Sequence, residues 1–373
     1  MADRWAAAEH VLCVRLDALG DVLMTTPAVR AVKRSRPGRR VTLLTSPAGA
    51  AAAELVPDVD DVIVYDAPWM KATARRADGR PERAMIECLR DGRFDAAVVF
   101  TVYSQNPLPA AMLCFLADIP LRLAHCRENP YQLLTDWVPD PEPAPVTRHE
   151  VRRQLDLVAA VGCHTADERM AVRVPPEAEE RADEILAGLG LASDDRWAVM
   201  HVGASAPSRR YPPESFAAAA RGLTAEGVRL VFTGSAAEEE LIEQVRAGVD
   251  EYSESLAGEL NLAELAALLK RAPLLISNNT GPVHVASAVG TPVVDLYALT
   301  NPQHTPWGVP CRVLSHDVPC RNCFKSICPE GHNDCLRKVP PADVVRAALE
   351  LLGDRFGGTN GTNGTYATHW THD

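Results

Sequence analysis

Apolar residues in the first half of the chain fall in short runs separated by longer amphipathic stretches. Residues 11–16 form an apolar run suited to a buried strand, and the loop Asp17-Ala18-Leu19-Gly20 leads into a helical stretch over 21–34. Further strands are predicted over 41–45, 62–65 and 94–100, with an Ala-rich helix over 49–55 and another helix over 107–117. Short strands alternating with helices predict βαβ units and a parallel sheet.

Pro139, Pro141, Pro143 and Pro145 then alternate with other residues, which favours an extended, stiff segment. A helix over 149–161 closes the first domain, and a second series begins after Pro175-Pro176. Its strands are predicted over 198–202, 229–233, 274–277 and 293–297, and its helices over 213–225, 237–247, 262–271 and 282–289. A last helix over 341–352 precedes a Gly-Thr-Asn repeat without apolar periodicity, expected to be disordered. The expectation is an α/β chain with domains at 1–168 and 169–354, a tail at 355–373, and a ligand cleft between the domains.

The 373 residues suit two domains, and a hydrophobic share of 47% with 23% charged residues excludes disorder for the body of the chain. A net charge of −11 argues against a nucleic-acid binder, which needs a basic face. Arg30, Lys33, Arg34, Arg36, Arg39 and Arg40 nevertheless cluster. They read either as a contact for an acidic acceptor or the anionic inner membrane surface, or as a solvated helix end. No apolar run is long enough to span a bilayer, and the N-terminus lacks a signal-peptide pattern, so a cytoplasmic protein with its ten cysteines reduced is expected.

Three segments could carry chemistry. Arg15-Leu16-Asp17-Ala18-Leu19-Gly20-Asp21 spans the turn from the first strand into the first helix, where open α/β folds bind ligands; Asp21 there suits helix capping. The spacing is not that of a dinucleotide fingerprint. His201 to Pro212 leaves a strand through small residues, which let a ligand approach the backbone, and reaches Arg209-Arg210, whose planar donors suit phosphate; a solvated loop is the other reading. Ser277-Asn278-Asn279-Thr280-Gly281-Pro282-Val283-His284 ends a strand and opens a helix with Pro in its first turn, a start suited to a pyrophosphate, with His284 directed either to that site or to the core.

Together with Thr233-Gly234-Ser235-Ala236-Ala237-Glu238 and Leu256-Ala257-Gly258, these ordered segments resemble glycosyltransferase family 9, the ADP-heptose heptosyltransferases of lipopolysaccharide core assembly. The resemblance runs over 11–352 and implies a GT-B architecture of two facing Rossmann-like domains, with inverting, metal-independent transfer. It places the general base at Asp21, beside Gly20 on the acceptor side. It places diphosphate contacts at Arg209 and Arg210, with Gly203 and Ser208 in the same loop, and a ribose partner at Glu238. The family's D-T-G-P-x-H loop falls on Asn279, Thr280, Gly281, Pro282 and His284. Asn279 is a departure that removes a negative charge, and Val202-Gly203-Ala204 stands where the family commonly has P-G-A.

The function so implied is transfer of a sugar, heptose from ADP-heptose, to a saccharide or glycolipid acceptor. A sugar-nucleotide epimerase of the same fold, or a nucleotide-binding module without catalysis, are the alternatives. Asp58-Val59-Asp60 reads as a solvated turn rather than a metal-binding D-x-D. No cofactor is required by this reading. Cys320, Cys323, Cys328 and Cys335, with His316 and His332 nearby, are spaced either for a structural zinc or iron–sulfur cluster or as a loop of free thiols.

Overall fold

Every strand pairing among the described residues is parallel, which requires helices over both faces of each sheet and apolar residues along both sides of the central strands. The computed structural model describes residues 2–71, 73–144, 147–192, 194–249 and 252–356. The first sheet holds β1 (His10–Arg15), β2 (Arg40–Thr45), β3 (Asp61–Val64), β4 (Ala96–Val99), β5 (Leu121–Cys126) and β6 (Asp136–Pro139), in the order β3-β2-β1-β4-β5-β6. The second holds β7 (Trp197–His201), β8 (Arg229–Gly234), β9 (Ser253–Ala257), β10 (Leu275–Asn278), β11 (Val293–Leu296) and β12 (Cys311–Leu314), in the order β12-β11-β10-β7-β8-β9. Both sheets therefore wind outward from their first strand and then reverse, placing one switch point between β1 and β4 and another between β7 and β10. This is the doubly wound α/β architecture, and ligands sit outside the carboxyl ends of the strands at such reversals.

By contacts the chain divides into two compact units. One holds residues up to Glu179 with Leu262–Ala266 and Asn301–Trp307; the other holds Glu180–Asn261, Ala267–Thr300 and the chain from Gly308 onward. In the first, Leu12, Val14, Ala97 and Val99 pack on Ala110, Leu113 and Cys114 of the helix Leu108–Leu116. In the second, Met200, Phe232, Ile276 and Val294 pack on Phe216, Leu223, Val344 and Leu351 of two covering helices. The expected strands and helices all have counterparts. The sequence reading lacked β5, β6, β9, β12 and the helices Ala2–Ala7, Arg80–Asp91, Pro176–Gly188 and Asp334–Arg337.

The basic cluster is a solvated helix end only in part, with Arg34 and Arg40 exposed. Arg30 and Arg39 are buried. Arg30 pairs with Asp58 and Asp167, and Arg39 donates to the carbonyls of Ala8 and Val32 at 2.9 Å. Lys33 pairs with Asp60, Arg34 with Asp58, Arg36 with Glu9 and Arg40 with Asp61. The same pairs correct the reading of Asp58-Val59-Asp60 as solvated at one position: Asp58 is buried between two arginines, while Asp60 is exposed. Two expectations fall outside the described residues: Pro145 in the proline segment, and all of the 355–373 tail beyond Phe356, where the helix Pro341–Phe356 ends.

Candidate functional site

The switch point of the first sheet gathers charge on Arg15, the last residue of β1. Its side chain is wholly buried, yet its guanidinium meets three carboxylates: Asp17 Oδ2 lies 2.9 Å from Nε, Nη2 donates to Asp21 Oδ1 at 3.0 Å, and Nη1 donates to Glu150 Oε1 at 2.7 Å. Asp21 occupies the first turn of the helix Leu19–Arg34 and its Oδ2 accepts the Ala18 N–H at 3.3 Å, so it also caps the helix, as its position suggested. Its side chain keeps 19% of its exposure, which leaves the carboxylate reachable. Gly20 precedes it in the same turn, half-buried. Across the crevice, Gln105 from the loop after β4 donates to Asp17 Oδ1 at 2.5 Å, and His304 Nε2 lies 3.8 Å from Asp21 Oδ1. Burial pushes the carboxyls of Asp17 and Glu150 above their ordinary range, against the pull of Arg15 on both.

In the second unit, the loops after β7, β8 and β10 bring most of the expected residues to one edge. Asn278 organises them: buried at the end of β10, it accepts the Tyr211 N–H at 2.9 Å and donates to Val202 O at 2.8 Å, fixing both ends of the loop after β7. Gly203 faces Glu238 so closely that a Cβ there would collide with the carboxylate. Glu238 in turn accepts from the N–H and hydroxyl of Ser235, each at 2.8 Å, as a capping-box residue. Ser208 is buried and its hydroxyl donates to Lys325 O at 2.7 Å, so it binds this loop to the cysteine segment. Arg210 is exposed, with Nε donating to Ala204 O at 2.8 Å, while Arg209 is half-buried.

Thr280 caps the helix Gly281–Val289 in an extended conformation without a side-chain cap bond, and Pro282 lies in its first turn. This gives the second switch point a helix N-terminus suited to an anion. His284, one turn on, is buried. Asn279, where the family pattern has aspartate, does not stand apart from a carboxyl: its Nδ2 donates to Asp295 Oδ2 at 3.0 Å. Asp295 is fully buried on β11, and burial drives its carboxyl well above the ordinary value despite Asn279 and Arg209. It belongs to a row in register across four strands, Thr233, His201, Ser277 and Asp295. In that row burial lowers the His201 imidazole below its usual value while Glu238 opposes the shift.

Sequence reasoning missed Arg15 as a hub, Glu150, His304, Asn278 and Asp295. Signals existed for some: a charged residue closing an apolar strand at Arg15, and an aspartate within the buried run of β11. Glu150 lies too far along the chain from Arg15 for any local pattern to join them.

The four cysteines of the 320–335 segment are free and half-buried. Cys320 Sγ lies 3.9 Å from His332 Nε2, Cys328 Sγ accepts the Asn333 N–H at 3.4 Å, and burial first, then the other three thiols, raises Cys335. Among the described residues, no group of three or more His, Cys, Asp or Glu side chains is placed to hold a metal ion. No helix of the described residues is long and apolar enough to cross a membrane.

Comparison with known proteins identifies the family and the fold. The chain is 25% identical over 353 residues to lipopolysaccharide heptosyltransferase 2 of Escherichia coli K12, covering 92% of this chain and 98% of that protein. Its fold matches a glycosyl transferase family 9 structure from Veillonella parvula with a TM-score of 0.77 at 24% identity, covering 93% of this chain and 98% of that one. It also matches the E. coli ADP-heptose lps heptosyltransferase II structure with a TM-score of 0.70 at 23% identity, covering 93% and 99%. These likenesses show the GT-B fold of two Rossmann-like domains. The family model of glycosyltransferase family 9 (heptosyltransferase) matches residues 83–333, and the chain, a glycosyltransferase, belongs to that family.

Proposed function

We propose that the protein transfers heptose from ADP-heptose to a saccharide or glycolipid acceptor in lipopolysaccharide core assembly, with inversion and with Asp21 as general base. The observation that carries this reading is the placement of Asp21, an accessible carboxylate at a sheet switch point held by a buried arginine. The first unit supplies the base. As the acceptor oxygen attacks the anomeric carbon, its proton passes to Asp21, and the bond from that carbon to the diphosphate breaks with its electron pair leaving on the nucleotide. Arg209, Arg210 and the helix start at Thr280-Gly281 supply positive charge and donors for the diphosphate, with Gly203 and Pro282 shaping the approach, Glu238 available to the ribose and Asn279 beside it.

The relatives' names support the donor and the pathway: the E. coli match is a lipopolysaccharide heptosyltransferase, and its solved counterpart is described as acting with ADP-heptose. No divalent metal is invoked, because in this reading cationic side chains and a helix dipole take up the leaving group's charge. Contact with an anionic membrane surface forms no part of the reading, since the arginines that suggested it are bound in ion pairs.

Two measurements test it. Titrations with ADP, UDP, GDP and dTDP in the absence of metal are expected to favour ADP, with Arg209→Ala weakening ADP about tenfold or more, the worth of a hydrogen bond to a charged group. Preference for another nucleotide would discard heptose. Asp21→Asn is expected to lower turnover of ADP-heptose by roughly a hundred- to ten-thousand-fold, the usual range for a lost general base. Retained turnover would remove Asp21 from that role.

A further inference from the structure

The three carboxylates around Arg15 differ in depth. Glu150 is fully buried, Asp17 keeps 12% side-chain exposure and Asp21 keeps 19%. A carboxylate paired alone with a guanidinium holds its proton poorly, because the positive partner stabilises the ionised form. Such a group makes a weak general base, which works best when its proton affinity suits the operating pH. Arg15 is not given to Asp21 alone. Its shortest contact is Nη1 to Glu150 Oε1 at 2.7 Å, while Asp21 takes Nη2 at 3.0 Å.

Glu150 has features that favour its ionised form against burial, which acts the other way and leaves Oε2 without a hydrogen-bond partner. It begins the helix Glu150–Ala159, where the dipole favours a negative charge, and Oε1 also accepts from Gln154 Nε2 at 2.7 Å. Burial raises its carboxyl, and Arg15 and Arg153 oppose that rise. Charged or titratable groups face each member from several elements. Arg15, Asp17, Glu150 and His304 are among those around Asp21; Arg15, Asp21 and Arg153 among those around Glu150; Arg15 and Asp21 among those around Asp17.

We propose that Glu150 is a positioning residue for the transfer, acting through Arg15 to divide the guanidinium's charge and leave the Asp21 carboxylate basic enough to take the acceptor's proton. This rests on the reading of Asp21 as general base. Glu150 does not touch substrate; it holds Arg15, and Arg15 holds Asp21 in its rotamer. The arrangement secures the base's geometry without taking its basicity.

The test is a carboxyl titration of the full chain carrying ¹³C-labelled aspartate, followed by NMR, with the Asp21 resonance identified by its loss in Asp21→Asn. Glu150→Gln keeps the shape and removes the charge. It is expected to move the Asp21 midpoint to lower pH. It should also lower kcat with ADP-heptose and a lipopolysaccharide core oligosaccharide at neutral pH while KM for ADP-heptose holds. Asp17→Asn, on a partly exposed loop, is expected to move the midpoint the same way and serves if Glu150→Gln folds poorly. A purely structural role would lower the melting temperature and leave the midpoint in place. An unmoved or raised midpoint in both variants, with Asp21→Asn inactive, overturns the role of Glu150 alone. Full turnover by Asp21→Asn overturns the general-base reading on which it rests.

Discussion

Asp295 sets a carboxyl beside the position where the motif lacks one, without restoring its negative charge. The family pattern places aspartate where this chain has Asn279, and the amide there donates to a carboxyl on the neighbouring strand. Asp295 Oδ2 takes that bond and Oδ1 has no partner, so the ionised form would be expensive in a fully buried setting. Burial raises its folded-state pKa well above the ordinary value, and the sign of the consequence follows. As pH rises past the normal aspartate range the unfolded chain releases this proton while the folded chain keeps it, so stability falls with rising pH. Asp295→Asn is therefore expected to raise the melting temperature at pH 7.5 and to change it little at pH 4, read by calorimetry at both. An equal effect at the two pH values would show that the side chain is ionised in the fold. The sequence displayed the aspartate inside an apolar strand, but not its partner, since the contact depends on β10 and β11 lying side by side.

At the scale of elements, apolar runs were legible and polar strands were not. β1, β2, β7, β8 and β10 are nearly continuous buried runs and were expected from their patterns. β5 reads Leu-Arg-Leu-Ala-His-Cys, and its arginine and histidine disguise a fully buried strand. Arg122 is tolerated there because it donates to the carbonyls of Leu133 and Gln132 at 2.8 Å each. β9 and β12 are partly exposed outer strands: β9 opens on the polar Ser253, Glu254 and Ser255, and β12 is only four residues long with Arg312 inside it. The loops at the sheet edge were legible as motifs, while the bond network that shapes them was not. Asn278→Ala tests that network, because it strands the Tyr211 N–H and the Val202 carbonyl. A loss of about 2 kcal/mol is expected, or roughly 4–8 °C in melting temperature for a domain of this size, together with weaker ADP binding. Unchanged ADP affinity in a destabilised variant would separate the loop's stability from its binding role.

The whole molecule repeats one topology twice, and each switch point carries its own chemistry: carboxylates around a buried arginine in the first unit, arginines and a helix N-terminus in the second. Net charge hides this division. A value of −11 averages over both units and suggests an acidic protein with one basic patch, whereas the patch is a lattice of ion pairs binding the helix Leu19–Arg34 to its surroundings. Arg30 and Arg39 could not be told from solvated arginines by sequence, because their partners Asp167 and the carbonyls near Trp5 come from distant or unpatterned segments. The pairing has a measurable outcome. A free polybasic patch gains about 1 kcal/mol of attraction per residue at an anionic bilayer, within a Debye length of the surface. Arginines already paired with aspartates gain much less, and the remaining acidic surface is repelled. Co-sedimentation with vesicles containing phosphatidylglycerol is therefore expected to exceed that with neutral phosphatidylcholine vesicles little if at all, even at low salt. Strong anionic preference lost in Arg34→Ala and Arg40→Ala, the two most exposed members, would mean that these pairs open at a membrane and that the cluster is a docking surface after all.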